Sequence, residues 1–598
     1  MLLGADTGGT FTDVVADDGR IAKVMSTPDD PTSAVASGID ALSDPSGPAR
    51  PQMLAHGTTV ATNALLERKG GVVALVTNEG FADVIEIARQ NRPSLYDQWA
   101  DRAEPLVPRH LRFEVAGRLD ATGAELAPIG EVPRLPGDVD AVAVCLLHAD
   151  LCDAHEQAVA SQLSAFDVSC SSTVSPEFRE YERTVTTVVN AYLRPVCRTY
   201  LAALEPMADD VLVMTSAAGL LPAVEAAELP AALLLSGPAG GVRAGAAAAV
   251  AAGFPDAVTF DMGGTSTDVC LVVDGRPEPA AERTIGGLPV RLPSLDVHTI
   301  GAGGGSIARL DPGGALVVGP RSAGAVPGPA CYGRGGTEPT VTDADVVLGR
   351  IPADAAFPGL GRLDRGAAES ALRSARVSAD GVVAVVDAAM EQAVRVVTVA
   401  RGVDPRDLAL VAFGGAGPLH ACAVAAALGM AAVVVPPRAG VLSAVGLLAS
   451  PRQRTIVRSW PTPDDHGGVA AAADALADEA RDLVAASGDV DVEVTFDCRY
   501  AGQSHELSVP SVEAFHDAHR RRNGYARPDA PVEVIAIRAS ASRPAAVDIE
   551  RLPPAAVGRA PLDGPAVVAE PDCTMWVPAG WHADVGGDGS WILRHSKS

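Results

Sequence analysis

The sequence predicts an α/β protein made of two duplicated halves followed by a smaller C-terminal α+β domain, and three observations carry that prediction. A nonapeptide occurs twice, as Asp6-Thr7-Gly8-Gly9-Thr10-Phe11-Thr12-Asp13-Val14 and as Asp261-Met262-Gly263-Gly264-Thr265-Ser266-Thr267-Asp268-Val269. The copies differ only at the second and sixth positions and lie about 250 residues apart, so they are read as an internal repeat. Strand and helix signals alternate along much of the chain, the pattern of layered α/β folds. A third glycine turn, Phe413-Gly414-Gly415-Ala416-Gly417-Pro418-Leu419-His420, follows an apolar run and opens a helix.

Each nonapeptide follows a strand-like run, residues 2–5 and 257–260, and precedes another apolar run that can pair back as a hairpin. Residues 71–77 and 141–147 read as further strands, and residues 154–163 as a helix. Between them residues 87–113 are polar and aromatic, either an insertion or a long surface excursion. A long helical pattern spans residues 181–207, interrupted by Pro195. A strand at 211–214 follows, and Ser236-Gly237-Pro238-Ala239-Gly240-Gly241 opens an alanine-rich helix. After the second nonapeptide, the glycine density of residues 301–336 excludes regular helix. A helix near 382–401 and a strand at 408–412 lead to the third turn, and strand-like alternation returns at 490–496 and 532–538. The expected domains are 1–180, 181–452 and 453–598, the last ending in a β-rich piece around 564–591.

Composition restricts the function classes. With 598 residues, 47% hydrophobic and 20% charged, the chain can bury several cores. A net charge of −27 argues against a nucleic-acid or anionic-membrane partner, because neither is met by a clustered positive surface. The nine cysteines are scattered without a C-x-x-C pair, as expected for thiols in a reducing compartment. No export signal or membrane-spanning run is legible, so a cytoplasmic location is expected.

The repeated turn suits a polyphosphate. Paired glycines let backbone N–H groups approach an anion, threonine hydroxyls add donors, and aspartates hold Mg²⁺ directly or through water. In the third turn, glycines at a helix N-terminus let a flat ring or ribose lie against the backbone.

The order phosphate turn, phosphate turn, nucleotide turn resembles that of the actin-like ATPase fold shared by sugar kinases, acetate kinases and heat-shock chaperones, which implies ATP in a cleft between duplicated halves. A larger set of motifs narrows the resemblance. His56-Gly57-Thr58-Thr59 with Thr62-Asn63, Arg89-Gln90-Asn91-Arg92-Pro93 and Glu180-Tyr181-Glu182-Arg183-Thr184 join the three turns. So do Ser236 to Gly241, Thr299 to Ser306, Tyr500-Ala501-Gly502-Gln503-Ser504 and Gly564-Pro565-Ala566. Together they resemble the hydantoinase A/5-oxoprolinase family over nearly the whole chain. One departure is Ser216-Ala217-Ala218-Gly219, where family members usually carry Ser-Asn-Gly-Gly.

The resemblance implies an ATP- and Mg²⁺-dependent subunit that phosphorylates the carbonyl oxygen of a cyclic amide such as 5-oxoproline or a hydantoin. Amide resonance makes that carbonyl a poor electrophile, and phosphorylation activates it for ring opening. A separate B-type subunit and an oligomeric assembly are implied with it. Asp6 and Asp261 are the candidates to organise Mg²⁺, with Asp13 and Asp268 behind them or near the acceptor. Gly8, Gly9, Thr10, Thr12, Gly263, Gly264, Thr265 and Thr267 are expected on the phosphates, and Gly303, Gly304, Gly414, Gly415, Ala416 and Gly417 along the rest of the nucleotide. His56 is a candidate donor to substrate, with helix capping as its competing role. Asp296 and His298 form either a metal or substrate pair or part of the framework. His148, His155 and Glu156 have metal-like composition without metal-like spacing. For Asp343 and Asp345, helix capping competes with a place in the cleft. Two other functions remain open on the sequence: an acetone-carboxylase-like subunit, and a nucleotide-driven conformational switch.

Overall fold

The computed structural model describes residues 1–27, 30–43, 50–354, 361–484, 489–553 and 558–596. Two large mixed sheets organise it. In the first, Leu2–Thr7 pairs antiparallel with Phe11–Ala16, which pairs with Ile21–Met25. On its other side Leu2–Thr7 runs parallel to Met53–Gly57, and that strand parallel to Asp210–Met214. In the second sheet, Ala257–Met262 pairs antiparallel with Thr267–Val273, which continues to Arg276–Pro277. On its other side Ala257–Met262 runs parallel to Ala409–Phe413, and that strand parallel to Ala432–Val435. The same five-strand order and directions therefore occur twice. The central parallel strands Met53–Gly57, Ala409–Phe413 and Ala432–Val435 are buried throughout, which accounts for their near-continuous apolar sequences.

Register is what makes the repeat chemical. Asp6 lies opposite Asp13, and Asp261 opposite Asp268. In each hairpin the first turn glycine donates across the turn, Gly8 N–H to the Phe11 carbonyl and Gly263 N–H to the Ser266 carbonyl, both at 3.0 Å.

A four-stranded parallel sheet, ordered Val168–Cys170, Ala141–Val144, Val73–Asn78, Arg112–Val115, is inserted into the first half. Helix Glu180–Leu204 packs on it and contains Pro195, and the chain then rejoins the first sheet at Asp210–Met214. The first half thus extends beyond residue 180. The polar and aromatic excursion is largely irregular between 88 and 108, and displays Leu95, Tyr96 and Trp99 to solvent.

Two helices carry the chain between the sheets, Gly237–Ala251 outward and Leu442–Leu448 back. They cross where Gly240 meets Ser443 and Gly446. A Cβ on Gly240 would stand 2.9 Å from the Ser443 carbonyl oxygen, and one on Gly446 would collide with the Gly240 carbonyl.

Most strands of 453–598 are divided between the two sheets, while Ala566–Ala569 and Thr574–Val577 pair only with each other. Arg452–Ser459, Val532–Arg543, Asp491–Tyr500 and Leu507–Val509 extend the first, while Trp591–His595, Trp581–Val585 and Leu562–Asp563 extend the second. Alternating sequence predicts such strands but not their partners. A buried ion-pair network ties the extension down: Arg538 bonds Asp497 at 2.7 Å and Glu177 at 2.8 Å, and Glu177 also accepts from Arg291. All nine cysteines are unpaired. Among the described residues no helix is long and apolar enough to cross a membrane.

Candidate functional site

The two hairpin turns face each other. A Cβ on Gly264 would stand 2.5 Å from Thr10 Oγ1, and one on Gly9 would stand 3.5 Å from Thr265 Cγ2. Between and beside them lies a cavity of about 320 Å³. Its walls include Asp6, Gly8, Gly9, Thr10 and Asp13 from the first turn and Gly263, Gly264, Thr265 and Asp268 from the second, with Asp261 between them. Gly304 and the third turn, as Gly414, Gly415 and Ala416, complete this side. The third turn is held against the second hairpin. Gly414 has φ +78°, and a Cβ there would collide with Asp261 Oδ1, so both conformation and space require glycine.

Four carboxyls of the two hairpins converge on this cavity, and all four are pushed upward. Burial raises Asp261 to about 7, assisted by the Asp268 charge and opposed by the Ser443 hydroxyl at 3.2 Å. Burial raises Asp268 to about 6 against a 2.5 Å hydrogen bond from Thr299. Asp6 lies well above the ordinary carboxylate range through burial and then the charges of Asp13 and Asp261. Asp13 is raised by burial although Lys23 Nζ sits 2.7 Å away. Thr7, also in the wall and 5% exposed, has an Oγ1 without a hydrogen-bond partner. Hard oxygen donors, unbalanced negative charge and an orphaned hydroxyl fit a divalent cation such as Mg²⁺.

Several expected contacts are corrected. Thr12 and Thr267 turn away from the cavity: Thr12 Oγ1 meets Ser26 Oγ at 3.1 Å, and Thr267 donates to the Ala302 carbonyl at 2.6 Å. Strand alternation is the reason, since each precedes an aspartate that faces inward. Gly303 is behind the second turn rather than in the wall, and Gly417 begins the helix Gly417–Leu428 beneath it. His56 is not in the wall either. It is 0% exposed, with Nδ1 3.0 Å from the Ala5 carbonyl and Nε2 2.7 Å from the Tyr200 hydroxyl. Burial lowers it to about 4, so it serves as a neutral core residue linking strand and helix.

The remaining candidates sort by their partners. Asp296 pairs with Arg401, and His298 lies on the strand Val297–Ile300 opposite Val269, neither in the cavity wall. His155 bonds Glu125 at 2.9 Å, while buried Glu156 accepts from Leu146 N, Ser171 Oγ and Ser172 N. Asp343 is a helix cap, reciprocating with Thr340 and accepting from the Ala330 and Cys331 amides. Asp345 does reach the cavity wall.

Sequence reasoning missed Lys23 and the segment 569–574, which also line the cavity. Glu570, Asp572 and Cys573 there place ligand atoms within 4.8 Å of one another. Glu570 is already bonded by Arg559 and Trp591, and Asp572 accepts from the Gly440 amide at 2.9 Å. The altered turn lies elsewhere: Ala217 lines a second cavity of about 1050 Å³ bordered by Arg194 and Arg454, and Ala218 adopts φ +62°. An alanine in place of glycine there costs about 1 kcal/mol without touching the first cavity.

Comparison with known proteins agrees with this architecture. The hydantoinase/oxoprolinase profile matches residues 183–455 and the hydantoinase/oxoprolinase N-terminal region matches residues 2–166. The chain is 34% identical to caprolactamase subunit alpha of Pseudomonas jessenii, over 90% of this chain and 86% of that one. It is 35% identical to 5-oxoprolinase 1 of Arabidopsis thaliana over 74% of this chain, but spans only 40% of that protein. The crystal structure of the ATP-dependent caprolactamase from P. jessenii superposes with a TM-score of 0.82 at 31% identity, covering all of both chains. Nucleotide-free acetone carboxylase shares the fold, with a TM-score of 0.78 at 23% identity over 100% of this chain and 99% of that one. Matched along most of its length by both profiles and by a 34% identical relative, the chain belongs to the hydantoinase/oxoprolinase family.

Proposed function

We propose that the chain is the ATP-using subunit of a cyclic-amide hydrolase, acting on a lactam or imide together with a B-type subunit. The observation that carries this reading is the pair of matched turns facing each other over buried carboxylates. Two-fold repetition of a hairpin with parallel neighbours is also the arrangement of actin-like ATPases, in which such turns hold ATP.

In this reading Gly8, Gly9, Thr10, Gly263, Gly264 and Thr265 receive the phosphates through backbone amides and hydroxyls. Asp6 and Asp261 hold Mg²⁺, which neutralises charge on the phosphates when bound. Asp13 and Lys23 border the same space and orient the acceptor. The lactam carbonyl oxygen attacks the γ-phosphorus in line and the bond to ADP breaks. Water then adds to the activated carbon and the ring C–N bond opens to leave an acyl phosphate and a free amine; a second water cleaves the acyl phosphate to carboxylate and phosphate. The net change is lactam, ATP and two waters to amino acid, ADP and phosphate. Relatives named as a subunit alpha, and a 5-oxoprolinase in which the matched part is less than half of the protein, support a second catalytic polypeptide.

The test is phosphate release from ATP by the full chain with its B-type partner, presented in turn with caprolactam, 5-oxoproline, hydantoin, and acetone with bicarbonate. Stimulation by a cyclic amide, abolished in Asp261→Asn with the circular dichroism spectrum unchanged, is expected. Stimulation only by acetone with bicarbonate would replace hydrolysis with carboxylation, and near-normal turnover in Asp261→Asn would remove the metal assignment.

A further inference from the structure

The cavity is chemically uneven. Around the hairpin turns it is lined by glycine, threonine and carboxylate; beyond the third turn its walls include Tyr332, Ile351, Leu363, Ala416 and Leu419. Ile351, Leu363 and Leu419 belong to one buried apolar cluster, and Tyr332 and Ala416 pack against it. An apolar wall beside a phosphate-sized polar turn suits a planar heteroaromatic ring.

One charged side chain interrupts this region. Asp345 is 1% exposed and contributes to the cavity wall. Its Oδ2 stands 3.3 Å from His420 Nε2, an ion-pair approach without hydrogen-bond alignment, and His420 Nδ1 is held by Asp387 at 2.7 Å. Burial alone would discharge the imidazole, but Asp345 and Asp387 on either side raise it to about 10, so Asp345 faces a fixed positive charge. Its Oδ1 has no hydrogen-bond partner. The guanidinium of Arg350 approaches that oxygen only to 3.9 Å, beyond hydrogen-bond range. A buried carboxylate oxygen without a donor is costly, and a ligand that supplies one recovers that cost.

We propose that Asp345 determines the base specificity of the site: the purine lies against the apolar wall and its exocyclic 6-amino group donates a hydrogen bond to Asp345 Oδ1. The inference rests on the nucleotide reading of the cavity given above. Adenine supplies one amino donor, matching the one oxygen left open. Guanine is read by a carboxylate through two adjacent donors, which needs both oxygens, and Oδ2 is turned to His420. Hypoxanthine and guanine would instead bring a 6-carbonyl against the carboxylate. His420 is a positioning residue whose approach to Oδ2 fixes the orientation of the Asp345 carboxylate.

The experiment is calorimetric titration of the full chain, in Mg²⁺, with ATP, ITP and GTP. ATP and ITP differ only at the 6-position and in the N1 proton that accompanies the 6-carbonyl, so wild type needs no variant to test the contact. It is expected to bind ATP at least about tenfold tighter than ITP or GTP. Asp345→Asn, which must turn its single oxygen to the His420 imidazolium and its amide NH₂ to the base, should shift the preference towards ITP, and Asp345→Ala should lose it. Equal binding of ATP and ITP by wild type, tighter binding of GTP, or an undiminished preference in folded Asp345→Ala would overturn the base contact while leaving the nucleotide site standing. Binding of none of the three nucleotides would overturn the nucleotide reading itself, and the proposal with it.

Discussion

Gly303 lies so close against Gly263 that a Cβ on it would stand 2.8 Å from the Gly263 carbonyl oxygen, and equally close to the backbone of Gly264 and Thr265. The contact is backbone to backbone, so no side chain can swing aside. The adjoining amides fasten the same surfaces, Gly304 N–H to Gly263 O at 3.0 Å and Gly305 N–H to Gly264 O at 2.6 Å. The glycine-rich segment thus sets the position of the second turn from behind.

Gly303→Ala is accordingly expected to displace that turn rather than fill empty space. Overpacking of this kind costs about 1–3 kcal/mol, and misplacing a reacting group by about 1 Å can lower turnover by about 10²-fold. Steady-state phosphate release and thermal melting on the same sample check both effects. A variant with unchanged turnover would show that the second turn is not positioned by this contact.

The raised carboxyls give the protein a pH signature in the absence of divalent cation. Asp261, at about 7, holds its proton more tightly in the folded chain than in the unfolded one, where the ordinary value is 3.8. The native state therefore binds more protons between these values, and this contribution to stability falls as pH rises through that window. In EDTA, Asp261→Asn should melt a few degrees above wild type at pH 8, with a smaller difference at pH 5. Mg²⁺ at pH 8 should close the gap. A difference independent of pH would mean that the Asp261 charge is not its source.

His56 has the opposite sign. Its folded value, about 4, lies below the ordinary 6.5, so the stability it contributes is lost as pH falls from about 6.5 towards 4. His56→Ala removes two buried hydrogen bonds and opens a cavity, a loss of about 2–4 kcal/mol at pH 8. That loss should narrow towards pH 4, and folded variant should turn over ATP within about twofold of wild type. A tenfold deficit in folded material would return His56 to the reaction.

The sequence by itself determined the two hairpin turns, their aspartates and the third turn, because glycine pairs, flanking strand signals and an internal repeat are local features. It also predicted most of the long helices and central strands, whose burial periodicity is written into consecutive residues. Which face each side chain takes was only half legible. The same motif places Asp13 and Asp268 inward and Thr12 and Thr267 outward, and His56 was ambiguous because a polar residue in an apolar strand is equally a ligand or a satisfied core group. Tertiary structure alone decided that Lys23, Asp345 and residues 569–574 reach one cavity, and that strands of 453–598 finish both large sheets. The physical reason is that strand pairing and convergent burial depend on long-range packing, and period-two alternation names a strand's faces but not the neighbour it will join.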